Sequence, residues 1–219
     1  MKKQSQDIYP LSPLQEAFLY HSITDRSSSA YFSQLSYEVS GRLDAALFED
    51  SLAHLFDRHS ILRTAFVYEG LKQAYQVVFK DRRAEFHRRD LRDLDAAAQA
   101  QFFEEFSARE KRRNFDLTKD SLMRIHLFST AEGRYRVYWA FHHILFDGWS
   151  FTKVINEFGY IYSCLEAGQQ PDLPPALPYK RFIQWLRRQD KAAAMEHWKQ
   201  QLAGYEQRAT LCPSYPPQT

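Results

Sequence analysis

Hydrophobic and polar positions follow two different periods along this chain, and together they predict alternating strands and helices. Apolar residues occupy every second position over residues 34–39, as in a strand with one buried face. Asp44 is a good helix N-cap, and the apolar residues that follow it up to residue 59 recur three and four positions apart, which predicts an amphipathic helix. Residues 61–68 and 74–79 are rich in β-forming side chains and predict two further strands, joined by a short turn.

The same alternation continues through the second half of the chain. The predicted elements are a helix over residues 95–113, a hairpin of strands 121–129 and 134–141, a helix over residues 150–166 and a final helix over residues 179–203. Four prolines mark residues 169–178 as a linker. Strands that alternate with helices predict an α/β fold, with a mixed sheet and helices packed on it.

The composition narrows the class of protein. The chain has 219 residues with 29 basic and 27 acidic side chains, and its net charge of +2 gives no reason to expect nucleic acid as a partner. Aromatic residues make up 16% of the chain, which indicates a packed core rather than disorder. Cys164 and Cys212 do not form a disulfide framework, and free thiols predict a cytoplasmic protein. No apolar run is long enough for a membrane span, so no membrane partner is expected.

Residues 141–150, with the sequence Phe-His-His-Ile-Leu-Phe-Asp-Gly-Trp-Ser, carry the main candidate chemistry. They place two imidazoles, a carboxylate and a glycine at a predicted strand-to-helix junction, where a scaffold can present a side chain to a cleft. An imidazole suits proton transfer near neutral pH because its ordinary pKa is about 6.5. The segment is therefore a candidate active site.

Three interpretations of this segment compete. The two histidines could be satisfied structural residues at a strand end, or ligands of a metal ion. Because adjacent strand residues point to opposite faces, however, His142 and His143 do not easily chelate one ion, and no further Cys or His cluster lies nearby. No metal is predicted. In the favoured interpretation one histidine is a general base, and Asp147 anchors the loop.

The pattern His-His-x-x-x-Asp-Gly resembles the active-site motif of condensation domains of nonribosomal peptide synthetases and, more widely, of the chloramphenicol-acetyltransferase-like superfamily. Four other segments resemble condensation-domain motifs in the correct order, although a Phe stands at the usual second Tyr of the last one. They are residues 9–21 (Tyr-Pro-Leu-Ser-Pro-Leu-Gln-Glu-Ala-Phe-Leu-Tyr-His), residues 58–66 (Arg-His-Ser-Ile-Leu-Arg-Thr-Ala-Phe), residues 114–117 with 122–125 (Asn-Phe-Asp-Leu and Leu-Met-Arg-Ile), and residues 179–185 (Tyr-Lys-Arg-Phe-Ile-Gln-Trp).

This resemblance implies a chloramphenicol-acetyltransferase-like lobe, an α+β two-layer sandwich. It also implies an acyltransferase-type amide synthase, which joins aminoacyl or peptidyl thioesters held on donor and acceptor carrier proteins. No cofactor is expected on this chain, because the phosphopantetheine arms belong to the carrier proteins. The resemblance assigns catalysis to His143, as base or positioner, and His142 is expected to pack behind the loop.

Other residues are expected to support His143. A buried Asp147 would need a cationic partner, and Arg63 of the second motif is the expected one, with Arg124 as the second choice. Gly148 is expected to allow close backbone approach and to offer an N–H near the reacting carbonyl. The remaining histidines, including His59 and His126, are expected at the surface or in helix caps. Weaker candidates for the substrate tunnel are Trp149, Ser150 and Tyr179.

The resemblance also bears on domain organisation, because condensation domains consist of two such halves. We expect a first lobe at residues 1–168, the linker at 169–178, and a helix and tail at 179–219 that lead to a C-terminal lobe, without which the fragment is inactive. Residues 1–21, with the charged segment 2–7, are a candidate docking surface for an upstream synthetase. An epimerization-domain lobe and a non-catalytic carrier-docking module stay open as alternatives, whereas cyclisation domains are disfavoured because they replace the two histidines with aspartates.

Overall fold

The structure is a computed structural model, and it describes residues 5–25 and 28–206. The chain divides into two compact units, residues 1–184 and 185–219. This division falls later than the predicted linker, so that the linker and most of the helix after it lie in the first unit. The predicted division into lobe, linker and tail stays a prediction.

The described residues form seven strands and six α-helices. In chain order these are β1 (Ser5–Pro10), α1 (Pro13–Thr24), β2 (Phe32–Ser40), α2 (Ala45–Arg58), β3 (Thr64–Val67), β4 (Tyr75–Phe79), β5 (Glu85–Asp90), α3 (Ala96–Arg113), β6 (Met123–Ala131), β7 (Arg134–His142), α4 (Gly148–Glu166), α5 (Tyr179–Leu186) and α6 (Lys191–Gln201). Most of the predicted elements are present. The pattern did not predict β1, α1 or β5.

The larger sheet contains its strands in the order β2-β7-β6-β5. The first two pairings are antiparallel and the pairing of β5 with β6 is parallel, so the sheet is mixed, as predicted. β6 and β7 form the predicted hairpin. Gly133 lies in its turn at a φ of +60°, a left-handed conformation that glycine adopts without strain.

Helices cover both faces of this sheet. On one face, α4 places Phe151 and Phe158 against Trp139, with ring centroids 6.3 and 5.3 Å apart, and α2 packs beside α4. On the other face, α3 places Phe106 against Tyr138 at 4.9 Å. The predicted fold class is confirmed as a mixed sheet with helices packed on it, and α3 adds a layer on the second face.

The smaller sheet has the order β1-β4-β3, with both pairings antiparallel. β3 is shorter than the predicted strand because residues Ser60–Arg63 form a 3-10 turn. β1 leads directly into α1, where Gln15 N–H donates to Ser12 Oγ at 3.2 Å and Ser12 N–H donates to Gln15 Oε1 at 3.0 Å. This capping box fixes the start of α1 next to the smaller sheet.

A buried ion pair joins α3 to the larger sheet. Arg124 of β6 has no exposed side-chain surface, and its Nε donates to Oε2 of Glu110 at 2.9 Å. It also donates to Asn114 O at 2.8 Å, where α3 ends. His126, further along β6, is buried as well, so its predicted surface position is wrong. Its ring stacks on the ring of His87 across the parallel strand pair, at 4.9 Å.

The final helix predicted over residues 179–203 is two helices. α5 ends at Leu186, and α6 begins at Lys191 with Asp190 as its N-cap. Asp190 Oδ1 accepts hydrogen bonds from two N–H groups of the first turn of α6, at 2.9 and 3.0 Å. The polar run before Lys191 therefore starts a new helix instead of continuing the old one. In the described ranges, no helix is both long and apolar enough to cross a membrane.

Candidate active site

The segment between β7 and α4 forms a tight loop whose backbone is held at several points. His143 N–H donates to Tyr31 O at 2.9 Å, and Leu145 N–H donates to His142 O at 3.1 Å. Ile144 N–H donates to the ring Nδ1 of His142 at 3.1 Å. These bonds fix the backbone at His143 and at the two residues that follow it.

His142 lies behind this loop and is 3% exposed. Its Nδ1 accepts the hydrogen bond from Ile144, so in the neutral ring Nε2 carries the proton and donates to Ser22 Oγ at 3.4 Å. Ser22 Oγ in turn donates to Phe18 O at 2.9 Å. Burial lowers the pKa of His142 to about 4, and the nearby His143 adds to the effect. His142 is therefore a neutral structural residue at pH 7.

His143 presents its ring differently. The side chain is partly exposed, and its ring packs against Phe18 with centroids 5.5 Å apart. Its Nδ1 is buried and has no hydrogen-bond partner within the described part of the chain. Nε2 is not buried, and none of the described residues forms a hydrogen bond with it. Nε2 is therefore the nitrogen that can meet a bound molecule.

A cavity of about 450 Å³, which we call the α4 groove, opens beside His143. One face of α4 forms a wall of this groove from Asp147 to Glu157, ten residues and therefore about 15 Å along the helix. An elongated cavity with mainly apolar walls suits an extended organic molecule. The apolar lining residues include Leu14, Phe18, Ile61, Leu145, Phe146 and Val154.

Of the three weaker candidates for a substrate tunnel, Ser150 and Tyr179 line the α4 groove and Trp149 does not. Trp149 is 86% exposed. Tyr179 packs against a small cluster that contains Tyr9 and Ile183, beside the smaller sheet. The structure thus brings the start of α4 and the start of α5 to the same cavity as His143.

Asp147 is not the buried anchor that was predicted. It is exposed, and its Oδ1 accepts a hydrogen bond from Ser150 N–H at 2.8 Å as the N-cap of α4. Hydrogen bonds from the backbone and the hydroxyl of Ser150 lower its pKa. An exposed carboxylate needs no buried cation, because water and the helix N-terminus already stabilise its charge.

Arg63 is therefore not the partner of Asp147. Arg63 is 6% exposed and donates to backbone carbonyls, including Phe56 O at 2.8 Å, and to Gln6 Oε1 at 2.8 Å. These contacts join the end of α2 to β1, and Arg63 does not line the α4 groove. The predicted pair is wrong because the guanidinium is satisfied by carbonyl groups.

Gly148 is the first residue of α4, and its φ is not positive. A Cβ added at this position would meet nothing within 4 Å. The fold itself therefore does not require a glycine at this position. The predicted close approach of a substrate to the backbone stays a prediction.

The buried side-chain amides of Gln15 and Gln76 support the loop between β7 and α4. Gln15 is 3% exposed and its Nε2 donates to Ile144 O at 3.3 Å, directly after His143. Gln76 of β4, also buried, donates to Gln15 Oε1 at 2.9 Å and to Pro10 O at 2.9 Å. Gln15 therefore connects α1 and the smaller sheet to the loop that follows the larger sheet.

Sequence reasoning missed three titratable residues of the α4 groove, which are His59, Lys153 and Glu157. His59 Nε2 lies 2.6 Å from Glu157 Oε2, which also accepts a hydrogen bond from Arg58 Nε at 2.9 Å. His59 is the C-cap of α2, which agrees with the predicted cap position. Glu157 lies on α4, on the same helix face as Asp147 and Val154, and this spacing is the signal that could have identified it.

The two adjacent histidines line different cavities. His143 lines the α4 groove, and His142 lines a second cavity of about 380 Å³ that also contains Arg112 and Lys119. This arrangement does not suit chelation of one ion by both rings. Residues 5–25 and 28–206 contain no group of three or more His, Cys, Asp or Glu side chains that could hold a metal ion.

Comparison with known proteins shows relatives among peptide synthetases. The chain is 43% identical over 206 residues to one of the plipastatin synthase proteins of Bacillus subtilis (strain 168), a match that covers 94% of this chain and 8% of that protein. It is 40% identical over 210 residues to gramicidin S synthase 2 of Brevibacillus brevis, a match that covers 96% of this chain and 5% of that protein. The chain thus spans less than a tenth of the length of either relative.

Solved structures show the same fold. A mutant of the starter condensation domain of rhizomide synthetase matches with a TM-score of 0.83 and 21% identity, over 94% of this chain and 50% of that chain. A four-domain nonribosomal peptide synthetase bound to AMP and glycine matches with a TM-score of 0.71 and 20% identity, over 91% of this chain and 15% of that chain. These matches confirm the predicted chloramphenicol-acetyltransferase-like fold. Because the family model described as the condensation domain matches residues 5–219, the chain belongs to the condensation-domain family.

Proposed function

We propose that this chain provides the His143 side of an active site that forms amide bonds between carrier-bound thioesters. The amine of the acceptor aminoacyl group attacks the thioester carbonyl of the donor. A C–N bond forms, the C–S bond breaks, and the donor thiol leaves while the amine loses a proton. The substrate amine is itself the nucleophile, so the reaction needs no protein nucleophile.

The observation that carries this proposal is the open Nε2 of His143. The backbone of the loop is fixed by hydrogen bonds to Tyr31 and to the ring of His142, and Nε2 meets the α4 groove without a protein partner in the described ranges. It can accept a hydrogen bond from the attacking amine and thereby orient its lone pair. Proton transfer of this kind contributes about 10²–10⁴-fold in rate. Positioning two tethered reactants contributes further, because it removes the entropy cost of their encounter.

The test is a condensation assay with the complete two-half domain and both loaded carrier proteins. His143→Ala is expected to reduce the rate of dipeptide formation by about 10²-fold or more, since it removes the only proposed proton acceptor. His54→Ala, at an exposed position of α2, is the matched control and is expected to retain full activity. A His143→Ala enzyme with an unchanged rate would remove His143 from the mechanism.

A glutamine substitution in the same assay separates a base from a positioner. If His143 accepts the proton, His143→Gln loses most of the rate, because an amide oxygen accepts a hydrogen bond but is too weak a base to take the proton. If His143 only positions the amine, His143→Gln retains a substantial part of the rate, because an amide oxygen can also accept a hydrogen bond.

We further propose that the isolated chain is inactive, because a single half cannot hold two thioesters in attack geometry. The expected partners are the C-terminal lobe and donor and acceptor carrier proteins, whose phosphopantetheine arms carry the substrates. Docking of an upstream synthetase on residues 1–21 is also a proposal, and residues 1–4 lie outside the described residues. The free thiol of Cys164 is consistent with the predicted cytoplasmic location, and Cys212 lies outside the described residues.

An assay of the 219-residue chain with both loaded carriers tests the requirement for the second half. No dipeptide is expected from this chain alone, and full turnover would contradict the proposal. The complete domain, assayed in parallel with the same carrier preparations, is the positive control.

A further inference from the structure

His59 and Glu157 form a second imidazole-carboxylate pair at the wall of the α4 groove. Burial would raise the pKa of Glu157, but hydrogen bonds from His59 and Arg58 lower it below its usual value, so Glu157 is ionised at neutral pH. A carboxylate accepts hydrogen bonds and does not donate them. In the neutral ring of His59, the proton therefore lies on Nε2, which faces Glu157 at 2.6 Å.

This arrangement leaves two acceptors open. In this neutral form His59 Nδ1 carries a lone pair; the atom is not buried and receives no hydrogen bond from any of the described residues. Both protein contacts of Glu157 use Oε2, so Oε1 is also without a hydrogen-bond partner in the described ranges. Side-chain exposures of 23% for His59 and 24% for Glu157 leave both within reach of a bound molecule.

The His59–Glu157 pair lies at the far end of the α4 groove from His143. Asp147 belongs to the loop that carries His143, and Glu157 follows it ten residues later along α4, a separation of about 15 Å. The groove as a whole is lined mainly by apolar residues, although the face of α4 between these two ends contributes Ser150 and Lys153 beside Val154. An extended chain that enters at His143 therefore meets mainly apolar surface first and hydrogen-bond acceptors at its far end.

We propose that His59 and Glu157 recognise a hydrogen-bond donor, a hydroxyl or an amine, at the far end of an extended acyl or side chain of the substrate in the α4 groove. This inference rests on the proposed function for the identity of the substrate. The mainly apolar walls favour such a chain over a pantetheine arm, because between the two ends of the α4 wall only Ser150 and Lys153 could pair with the two amides of pantetheine. His59 and Glu157 are thus specificity-determining residues and not catalytic ones.

Binding of small probes to the 219-residue chain tests this proposal independently of catalysis. Dissociation constants for 8-hydroxyoctanamide, octanamide and pantetheine are measured at pH 8 by NMR titration, with the imidazole signals of His59 as a local reporter. The hydroxyl probe is expected to bind the wild-type chain about fivefold more tightly than octanamide, the effect of one net hydrogen bond. This ratio is expected to fall to about one in His59→Phe and in Glu157→Leu.

Arg58→Lys is the control for a purely structural role of the cluster. Arg58 joins α2 to Glu157 and, at 2.6 Å, to Pro174 O, but it offers no acceptor to a ligand. The affinity ratio compares two probes on the same protein, so partial unfolding of a variant does not change it. The proposal would be overturned if the wild-type affinity ratio were one, or if neither octanamide bound. It would also be overturned if only the affinity for pantetheine depended on His59 and Glu157, or if Arg58→Lys lost the ratio. None of these results would affect the role of His143, which the condensation assay tests.

Discussion

His142 and His143 are adjacent in the sequence, and their rings line two separate cavities on either side of one loop. The ring of His142 is hydrogen bonded at both nitrogens, whereas neither ring nitrogen of His143 has a partner among the described residues. The pair therefore consists of a structural residue, His142, and a residue with an open ring nitrogen, His143. This difference leads to different expected effects of the same substitution at the two positions.

His142→Ala is expected to reduce the free energy of unfolding by about 1–3 kcal/mol, because it leaves the buried N–H of Ile144 without its acceptor. His143→Ala is expected to cost less than about 1 kcal/mol, since its ring is partly exposed and makes no hydrogen bond within the described part of the chain. Urea unfolding of both variants measures the difference. Equal losses at the two positions would contradict the structural role of His142.

Asp147→Ala is expected to cost about 1 kcal/mol, the usual effect of losing an N-cap, and not the roughly 3–5 kcal/mol of a stranded buried charge. Asp147→Ser retains a capping oxygen and is expected to recover most of this loss. Thermal melts of the two variants decide the question. A loss above about 3 kcal/mol that serine does not recover would show that Asp147 has a buried cationic partner after all.

Gly148→Ala is expected to leave stability unchanged or to raise it by at most about 1 kcal/mol, because a Cβ meets open space and alanine favours the helix. If the substrate approaches the backbone at this position, the same variant lowers the rate of condensation by the complete domain. Gly159→Ala, an exposed site on α4 with equally open surroundings, is the control for a general effect on the helix. Equal rates in the two variants would exclude the close approach at Gly148.

Stability is expected to fall at acid pH partly because of His126. Burial lowers its pKa to about 3, and the nearby His87 adds to this effect. An unfolded histidine titrates near pH 6.5, so between about pH 3 and 6.5 the unfolded state binds more protons than the folded one. The free energy of unfolding therefore decreases as the pH is lowered through this range.

His126→Phe removes this proton linkage and retains an aromatic ring against Phe106. Because His126 Nε2 is buried without a hydrogen-bond partner in the described ranges, the substitution sacrifices no bond at that nitrogen. Urea unfolding at pH 7.5 and pH 5 is expected to show a smaller loss on acidification for His126→Phe than for the wild type. An unchanged or larger loss would assign the acid sensitivity to other groups.

Much of the fold was predictable where a single face of an element is buried. The stripe of α2 after Asp44 is of this kind, because its local periodicity reports burial directly. The alternation in β2 also predicted a strand correctly, although no residue of β2 is buried and Leu35 is exposed. β5 was not predicted because it is an edge strand with mostly exposed, charged side chains. α1 was not predicted because only Gln15 and Leu19 are buried in it, which leaves no apolar stripe.

The candidate site was predictable only where its residues are close in sequence. The loop of His143 and the start of α4 form a contiguous motif, and their cavity is where the pattern suggested. The partner of Asp147 was not predictable, because exposure decides whether a carboxylate needs a cation, and the motif does not report exposure. His59 and Glu157 are nearly a hundred positions apart and meet through the packing of α2 against α4.

The hydrogen bond from Gln15 to Ile144 has a consequence for the order in which the site assembles. The two residues are separated by 129 positions, and the bond requires α1, the smaller sheet and the end of β7 to be in place together. Contacts between such distant segments require closure of a long loop, so we expect the native geometry around His143 to form late in folding. Partial opening of β1 and α1 would release this loop first. Conditions that increase proteolysis or hydrogen exchange at the N-terminal region are therefore expected to reduce activity as well.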